Sequence, residues 1–325
     1  MKENDYDRKQ NPDQARIMEK KRWFAVVNPA SASGRTGKLW LTFREKLEAA
    51  GWVVEYVLTS GPWEAVSITQ AALERGERRI MAVGGDGTLN EVVNGFFSVD
   101  EALRQEAELA VLTYGTGSDF IRTLRIERGL DSFLKVLNRA EIMPVDVGRV
   151  EYENIQGEVL TRYFLNVADV GLGAAIAGKV NQTGKVLGGK ISFLYASIKV
   201  ILSYRNKIFK CLIDGETVIE GRLNSVMVAN GRYFGGGMMI APEADLADGQ
   251  FDVIILGDFS TLQLLRHLPK IYRGSHLKVP GVLVYRGRTV AVQSRDKLML
   301  ELDGEQPGFA PVKFSIIPQA LKLWR

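Results

Sequence analysis

A single cysteine in 325 residues, Cys211, leaves no partner for an internal disulfide. It fits a reducing compartment, where a lone thiol serves as a small core residue. The two histidines, His267 and His276, are too few to support a Ser-His-Asp arrangement or a His/Cys metal spacing. They flank a basic stretch with Arg266, Lys270, Arg273 and Lys278 and read as solvated surface residues. Charge excess is also missing, since 42 basic against 38 acidic residues give +4. That balance is compatible with an anionic membrane surface or substrate and too small to argue for nucleic acid. No apolar run approaches the roughly 20 residues that span a bilayer. Met1 to Lys21 is polar and lacks the apolar stretch of a signal peptide, so residues 1–20 read as a disordered tail of a soluble, cytoplasmic protein. No repeat or low-complexity linker stands out, and the length fits two domains with ample core.

What is present centres on Ala82-Val83-Gly84-Gly85-Asp86-Gly87-Thr88-Leu89-Asn90-Glu91. Arg79 to Val83 is a short apolar run ending at paired glycines, the pattern of a buried parallel strand. Gly84, Gly85 and Gly87 leave backbone N–H groups open to an anion, and the following helix start favours phosphate oxygens. Thr88 and Glu91 have the spacing of a capping box. Asp86 is the odd member, because a carboxylate beside phosphates is repulsive unless a divalent cation lies between them.

Around this turn the first half alternates. Strand-like runs at 23–27, 52–58, 79–83 and 109–112 are separated by helical stretches ending near Ala50, over 63–75 and from Leu89. The alternation predicts a doubly wound, mostly parallel α/β sheet with ligands at the carboxyl ends of its strands. The loop Asn28 to Lys38 ends in Gly34-Arg35-Thr36-Gly37-Lys38, whose spacing is wrong for a P-loop. A third loop is Tyr114-Gly115-Thr116-Gly117-Ser118-Asp119-Phe120, with Ser118 as its cap. From Val145 onward, short alternating segments at 162–167, 225–230, 251–256 and 289–293 predict an antiparallel, β-sandwich-like second domain. The boundaries read as 21–146 and 147–325, with the last strand, about 312–325, returning to the first domain.

Two acidic motifs lie in the second half. Glu243 to Asp252 packs carboxylates around a glycine turn, which is either a hard-cation site or a solvated acidic loop. Lys297 to Glu305 is a strand delivering Asp303 and Glu305 at a glycine break. This is either a general base for an alcohol or an ordinary turn. The segment Lys185 to Lys210 is helical in period and basic at both ends. It reads first as a helix packed on the second domain, with a membrane-interfacial element as the alternative.

Gly-Gly-Asp-Gly-Thr-Leu-Asn-Glu-Val resembles the signature of the diacylglycerol kinase catalytic domain, shared by bacterial lipid kinases, sphingosine kinases and ceramide kinases. The order of the other loops is similar to that family too, with Asn-Pro and Ser-Gly in the first and Gly-Thr and Asp-Phe in the third. The first loop carries extra residues, and Ser118 stands where Asn is usual. The resemblance implies an ATP-dependent lipid kinase over about residues 21 to 325. Its nucleotide would lie on Asn28, Pro29, Ser33, Gly34, Thr59, Gly84, Gly85, Asp86, Gly87, Thr88, Asn90, Gly115 and Thr116. It implies Mg²⁺ at the phosphates with help from Asp86. It also implies a structural Mg²⁺ on Asp245, Asp248 and the Gln250 carbonyl, linked to Asp86 and Asp146 by hydrogen bonds or water. Asp303 and Glu305 occupy the place of the catalytic acidic pair, and which takes the proton stays open. Implied partners are a lipid with a free hydroxyl, diacylglycerol foremost, and a peripheral membrane surface; a homodimer is left open and nucleic acid is not implied. A shorter Gly-Gly-Asp-Gly-Thr also occurs in NAD kinases, so a dinucleotide kinase and a non-catalytic lipid or nucleotide sensor are the alternatives.

Overall fold

The computed structural model describes residues 21–114, 118–183 and 189–325. In the first half β1 (Arg22–Val27), α1 (Arg35–Ala49), β2 (Val53–Leu58), α2 (Glu64–Glu74), β3 (Arg79–Gly84), α3 (Asp86–Phe96), α4 (Glu101–Glu106), β4 (Glu108–Thr113), α5 (Asp119–Thr123) and α6 (Leu130–Arg139) follow in order. The strands lie β2-β1-β3-β4, all parallel. The apolar run of β1 is continuous because helices cover both faces. Phe24 and Val26 pack with Leu73, Val92 and Phe96, whereas Trp23, Ala25 and Val27 pack with Trp40, Leu47 and Phe133. Full burial of each large side chain stabilises by about 1.5–3 kcal/mol.

The second half holds β5 (Ile142–Glu153), β6 (Val159–Phe164), β7 (Val167–Gly171), α7 (Leu172–Thr183), α8 (Gly189–Ser203), β8 (Lys207–Ile213), β9 (Glu216–Leu223), β10 (Ser225–Ala229), β11 (Tyr233–Phe234), β12 (Met238–Met239), β13 (Phe251–Leu256), α9 (Thr261–Ile271), β14 (Val282–Gly287), β15 (Thr289–Gln293), β16 (Met299–Leu302) and β17 (Glu305–Trp324). Its strand pairs are antiparallel around a core that includes Phe164, Phe209, Phe251 and Phe314. Cys211 is fully buried in that core, and burial pushes its thiol up to about 12, as expected of an inert structural cysteine.

β17 joins the halves. It pairs with β16 at its start, with β15 in its middle and with β5 along most of its length. Lys322 and Leu323 then run parallel to Glu108 and Leu109 of β4. A parallel first sheet and an antiparallel second one, the architecture read from the sequence, are thus hydrogen-bonded into one sheet of fifteen described strands.

Several local expectations change. α3 starts at Asp86, with Gly85 at its N-cap and no side-chain cap, so the Thr88/Glu91 capping box does not form. Thr88 Oγ1 instead accepts from Asn28, and Glu91 accepts from the Ala65 N–H at 3.2 Å. Ser118 occupies the N-cap of α5, but its hydroxyl faces the Thr113 hydroxyl at 2.9 Å and does not cap. The segment 162–167 splits into β6 and β7. His276 is buried, not solvated, with Nε2 3.0 Å from the Ile240 carbonyl, and burial lowers its pKa.

Candidate active site

The expected loops meet where the parallel strands end. Asn28 follows β1 and donates its N–H to the Val83 carbonyl at 2.9 Å; Thr59 follows β2 and donates to Val27 at 2.8 Å. Gly84 ends β3, so three strand ends share one edge. Asn28 Oδ1 accepts from the Ala30 N–H, and Nδ2 donates to Thr88 Oγ1, both at 3.0 Å, which ties the first loop to the second. Pro29 lies against Gly37, where an added Cβ would come within 2.9 Å of the proline ring. Ser33 and Gly34 take left-handed φ of 58° and 81°. A Cβ at Gly34 or at Gly85 would meet nothing within 4 Å, so both glycines border open space. Beside that space the first-turn N–H groups of α3 supply positive potential suited to phosphate. Gly84 differs, because a Cβ there would sit 2.4 Å from Thr88 Oγ1. Gly115 and Thr116 lie outside the described residues.

Asp86 has a partner that the sequence did not reveal. Its carboxylate accepts from the Asp119 N–H at 3.1 Å and the Phe120 N–H at 3.3 Å, the opening of α5. Its charge is thus held by backbone donors at the opening of α5.

Asp303 and Glu305 arrive on the tight connection between β16 and β17 and differ sharply. Asp303, at a left-handed φ of 47°, accepts from the Leu165 N–H (2.9 Å), the Asn166 N–H (2.9 Å), the Val167 N–H (3.2 Å) and Asn90 Nδ2 (2.9 Å). These bonds explain the break between β6 and β7, whose linking amides turn to the carboxylate. Burial raises the Asp303 pKa, and the bonds from Leu165, Asn90 and Asn166 oppose the rise. Glu305 is exposed, and a Cβ at Gly87 would lie 4.0 Å from its Oε1, so it faces the opening of α3. Asn90 is buried and also donates to the Tyr163 carbonyl at 3.0 Å. Its side-chain amide thus joins α3 to both β6 and the Asp303 turn.

The acidic loop carries the residues implied as ligands of a structural cation. Its donors are all oxygen, the right chemistry for a hard ion. Among the described residues no three acidic, histidine or cysteine side chains converge on one point; the ligands implied here are two carboxylates and a backbone carbonyl. Asp146 accepts from the Gly249 N–H at 2.6 Å and the Gln319 N–H at 2.7 Å. Burial raises its pKa against these bonds. Asp245 accepts from the Ala247 N–H and Asp248 from the Gln250 N–H, each at 3.0 Å. Asp248 is also ion-paired with Arg286, which lies 3.8 Å from Asp252. Direct hydrogen bonds and a guanidinium thus engage Asp146, Asp245 and Asp248.

Three carboxylates escaped the sequence reading. Asp119 is buried; Oδ1 meets Arg122 at 2.5 Å and Oδ2 accepts from the Gly236 N–H at 2.7 Å. Burial, then the neighbouring Asp86, pushes its carboxyl up to about 6. In the sequence it stands as the Asp of the third loop's Asp-Phe, with no role attached to it. Asp169 and Glu301 are cross-strand neighbours on β7 and β16. Asp169 has the Ser225 hydroxyl at 2.9 Å and accepts from the Ala174 N–H at 3.1 Å, and burial pushes it up to about 7. Glu301 accepts from the Gly304 N–H in the Asp303 turn, and burial holds its pKa well above the carboxylate range. Nothing in sequence separation announces a pair created by strand register.

A sheet-edge glycine turn, an anion-ready helix start and a carboxylate turn facing it describe a kinase site. The diacylglycerol kinase catalytic domain matches residues 22–150, and the YegS C-terminal NAD kinase beta sandwich-like domain matches residues 166–325. The chain belongs to the diacylglycerol kinase catalytic domain family, of the bacterial lipid kinase type. It is 28% identical to the diacylglycerol kinase of Bacillus subtilis (strain 168) over 297 residues, covering 90% of this chain and 93% of that one. The diacylglycerol kinase of Staphylococcus carnosus (strain TM300) is 25% identical over 305 residues, with 94% and 95% covered. A crystal structure of a diacylglycerol kinase from Bacillus anthracis str. Sterne shares the fold, with a TM-score of 0.73 at 22% identity, covering 94% of this chain and 96% of that one. No helix among the described residues is long and apolar enough to cross a membrane.

Proposed function

We propose that this kinase transfers the γ-phosphate of ATP to the hydroxyl of a membrane lipid, with diacylglycerol as acceptor and phosphatidic acid as product. The observation that carries the reading is the placement of Glu305 opposite the start of α3, where the glycine turn borders open space. ATP enters as its complex with a divalent cation and lies along the first loop (Asn28, Pro29, Ser33, Gly34), beside Thr59, on Gly84 to Thr88, and towards the third loop. Glu305 takes the acceptor hydroxyl proton as that oxygen bonds to the γ-phosphorus; the bond to the β,γ-bridging oxygen breaks and ADP leaves with the electron pair. Asp303 serves as the positioning residue, because a carboxylate already accepting four hydrogen bonds must surrender one to take a proton. Asp86 fixes the third loop against the glycine turn. Catalysis is mostly alignment and charge neutralisation. The protein works as a two-domain enzyme, residues 21–146 holding nucleotide and 147–325 the acceptor, at the inner face of the membrane.

The test is transfer of labelled γ-phosphate from ATP into chloroform-extractable product, using mixed micelles that each present one lipid alcohol. Label in diacylglycerol micelles, absent with Glu305→Gln, supports the reading. Label in no lipid, with NAD phosphorylated in its place, overturns it.

A further inference from the structure

The chain holds no acidic residue between Asp169 and Asp214, and none between Asp258 and Asp296. Tertiary structure brings these acid-free stretches together. α7, α8 and α9 pack around a small separate core of Leu172, Ile176, Val180, Ala196 and Ile201, closed by Leu264, Leu265 and Leu268 of α9. The inward face of α8 is therefore satisfied. Its outward face is not, because Leu194, Tyr195, Ile198 and Leu202 are exposed, Tyr195 and Leu202 by 61% and 63%. Their spacing of one, four and eight residues puts them on one stripe of the helix. On neighbouring α9, Leu262 is 76% exposed. Lys199, Arg205, Arg266 and Lys270 are exposed around these apolar groups and form no ion pair among the described residues.

We infer that the outer surface of α8 and α9 is the docking face for an anionic phospholipid bilayer. Apolar side chains enter the acyl boundary while lysines and arginines meet head-group phosphates, and the missing acids remove the repulsion that would oppose contact. The face is also well placed. α7, on which α8 packs, lies against the start of β17: Gln306 Nε2 donates to the Ala174 carbonyl at 3.3 Å, and a Cβ at Gly178 would fall 2.6 Å from the Gln306 amide. Gln306 directly follows Glu305, so one helix separates the docking face from the acceptor side of the site. The sequence alternatives for this segment, packed helix or interfacial element, describe the two faces of one helix. This inference rests on the lipid kinase reading for its purpose, but not for its test.

The test is sedimentation of the full chain with sucrose-loaded vesicles, without nucleotide, beside phosphorylation of a short-chain diacylglycerol kept below its micelle concentration. The protein is expected to pellet with phosphatidylglycerol vesicles, weakly with phosphatidylcholine ones, and less as salt rises. The surface variants Leu194→Gln/Leu202→Gln and Lys199→Ser/Arg266→Ser should each lose about tenfold in vesicle affinity, with short-chain turnover unchanged. No pelleting of the parent chain, or equal pelleting of the variants, overturns the docking face. So does a dimer that these variants dissociate while vesicle binding persists. Vesicle binding without short-chain phosphorylation leaves the docking face standing and removes the kinase reading instead.

Discussion

Asn90 Nδ2 lies 2.9 Å from Asp303 Oδ2, a hydrogen bond between side chains 213 residues apart. It fastens the helix after the glycine turn to the strand connection bearing Glu305, so the two halves of the proposed site are joined by this contact. Asp303→Asn would turn an amide donor towards at least one of the N–H groups of Leu165, Asn166 and Val167. The expected result is a loss of about 2–4 kcal/mol of stability together with activity. Glu305→Gln, on an exposed side chain, should keep its melting temperature and lose about 10²–10⁴ in kcat. Comparing urea midpoints with kcat separates positioning from proton transfer; equal loss of stability in both variants would refute the division of roles.

Gly85 and Gly95 give opposite outcomes for the same change. At Gly95 a Cβ would lie 2.5 Å from Thr69 Cβ and 2.7 Å from the Val66 carbonyl, where α2 and α3 meet. Gly95→Ala is expected to cost about 1–3 kcal/mol by overpacking, read from the urea midpoint. Gly85→Ala meets no neighbour and adopts an ordinary extended backbone, so stability should hold while the KM for ATP rises several-fold.

Asn28→Ala breaks the bridge between the first two loops at Thr88. Loss of one hydrogen bond of about 1 kcal/mol predicts a several-fold higher KM for ATP with a smaller change in kcat. Steady-state kinetics at saturating lipid would show it; an unchanged KM for ATP would count against a shared phosphate site.

Asp169 predicts a pH dependence. Its folded pKa, about 7, exceeds the ordinary carboxylate value of 3.8, so between those values the folded chain binds more protons than the unfolded chain. Stability is fully present below about pH 4 and falls as pH rises to about 7, by on the order of 4 kcal/mol. Asp119, raised to about 6, adds a shift of the same sign. Asp169→Asn should flatten the fall in urea midpoint between pH 5.5 and pH 8, leaving the part due to Asp119, Asp252 and Glu301, which burial also raises.

Arg286 predicts the response to metal removal. With its guanidinium on Asp248 and near Asp252, chelation of divalent ions should leave the melting temperature unchanged. Arg286→Gln removes a half-exposed pair, with a cost of about 1 kcal/mol and a fall of about 2 °C. Millimolar Mg²⁺ should recover that loss by neutralising the freed carboxylates. A parent chain that melts lower in chelator would show that the loop holds a metal after all.

The sequence determined what local pattern can carry. Apolar runs such as Arg22–Val27 and Arg79–Gly84 require cover on both faces and hence a doubly wound sheet. The alternation after Val145 requires an antiparallel one. The order of glycine loops places a phosphate-sized opening at the strand ends, since backbone conformation and periodicity are properties of neighbouring residues. Only tertiary structure decided which carboxylates are already satisfied. The sequence could not show that Asp86 is held by the opening of α5, that Asp303 accepts four donors, or that Arg286 stands at the acidic loop. Nor could it show that two acid-free stretches meet on one surface. Each depends on strand register and on contacts between distant segments, where desolvation and charge are set by whatever the fold brings within a few ångströms.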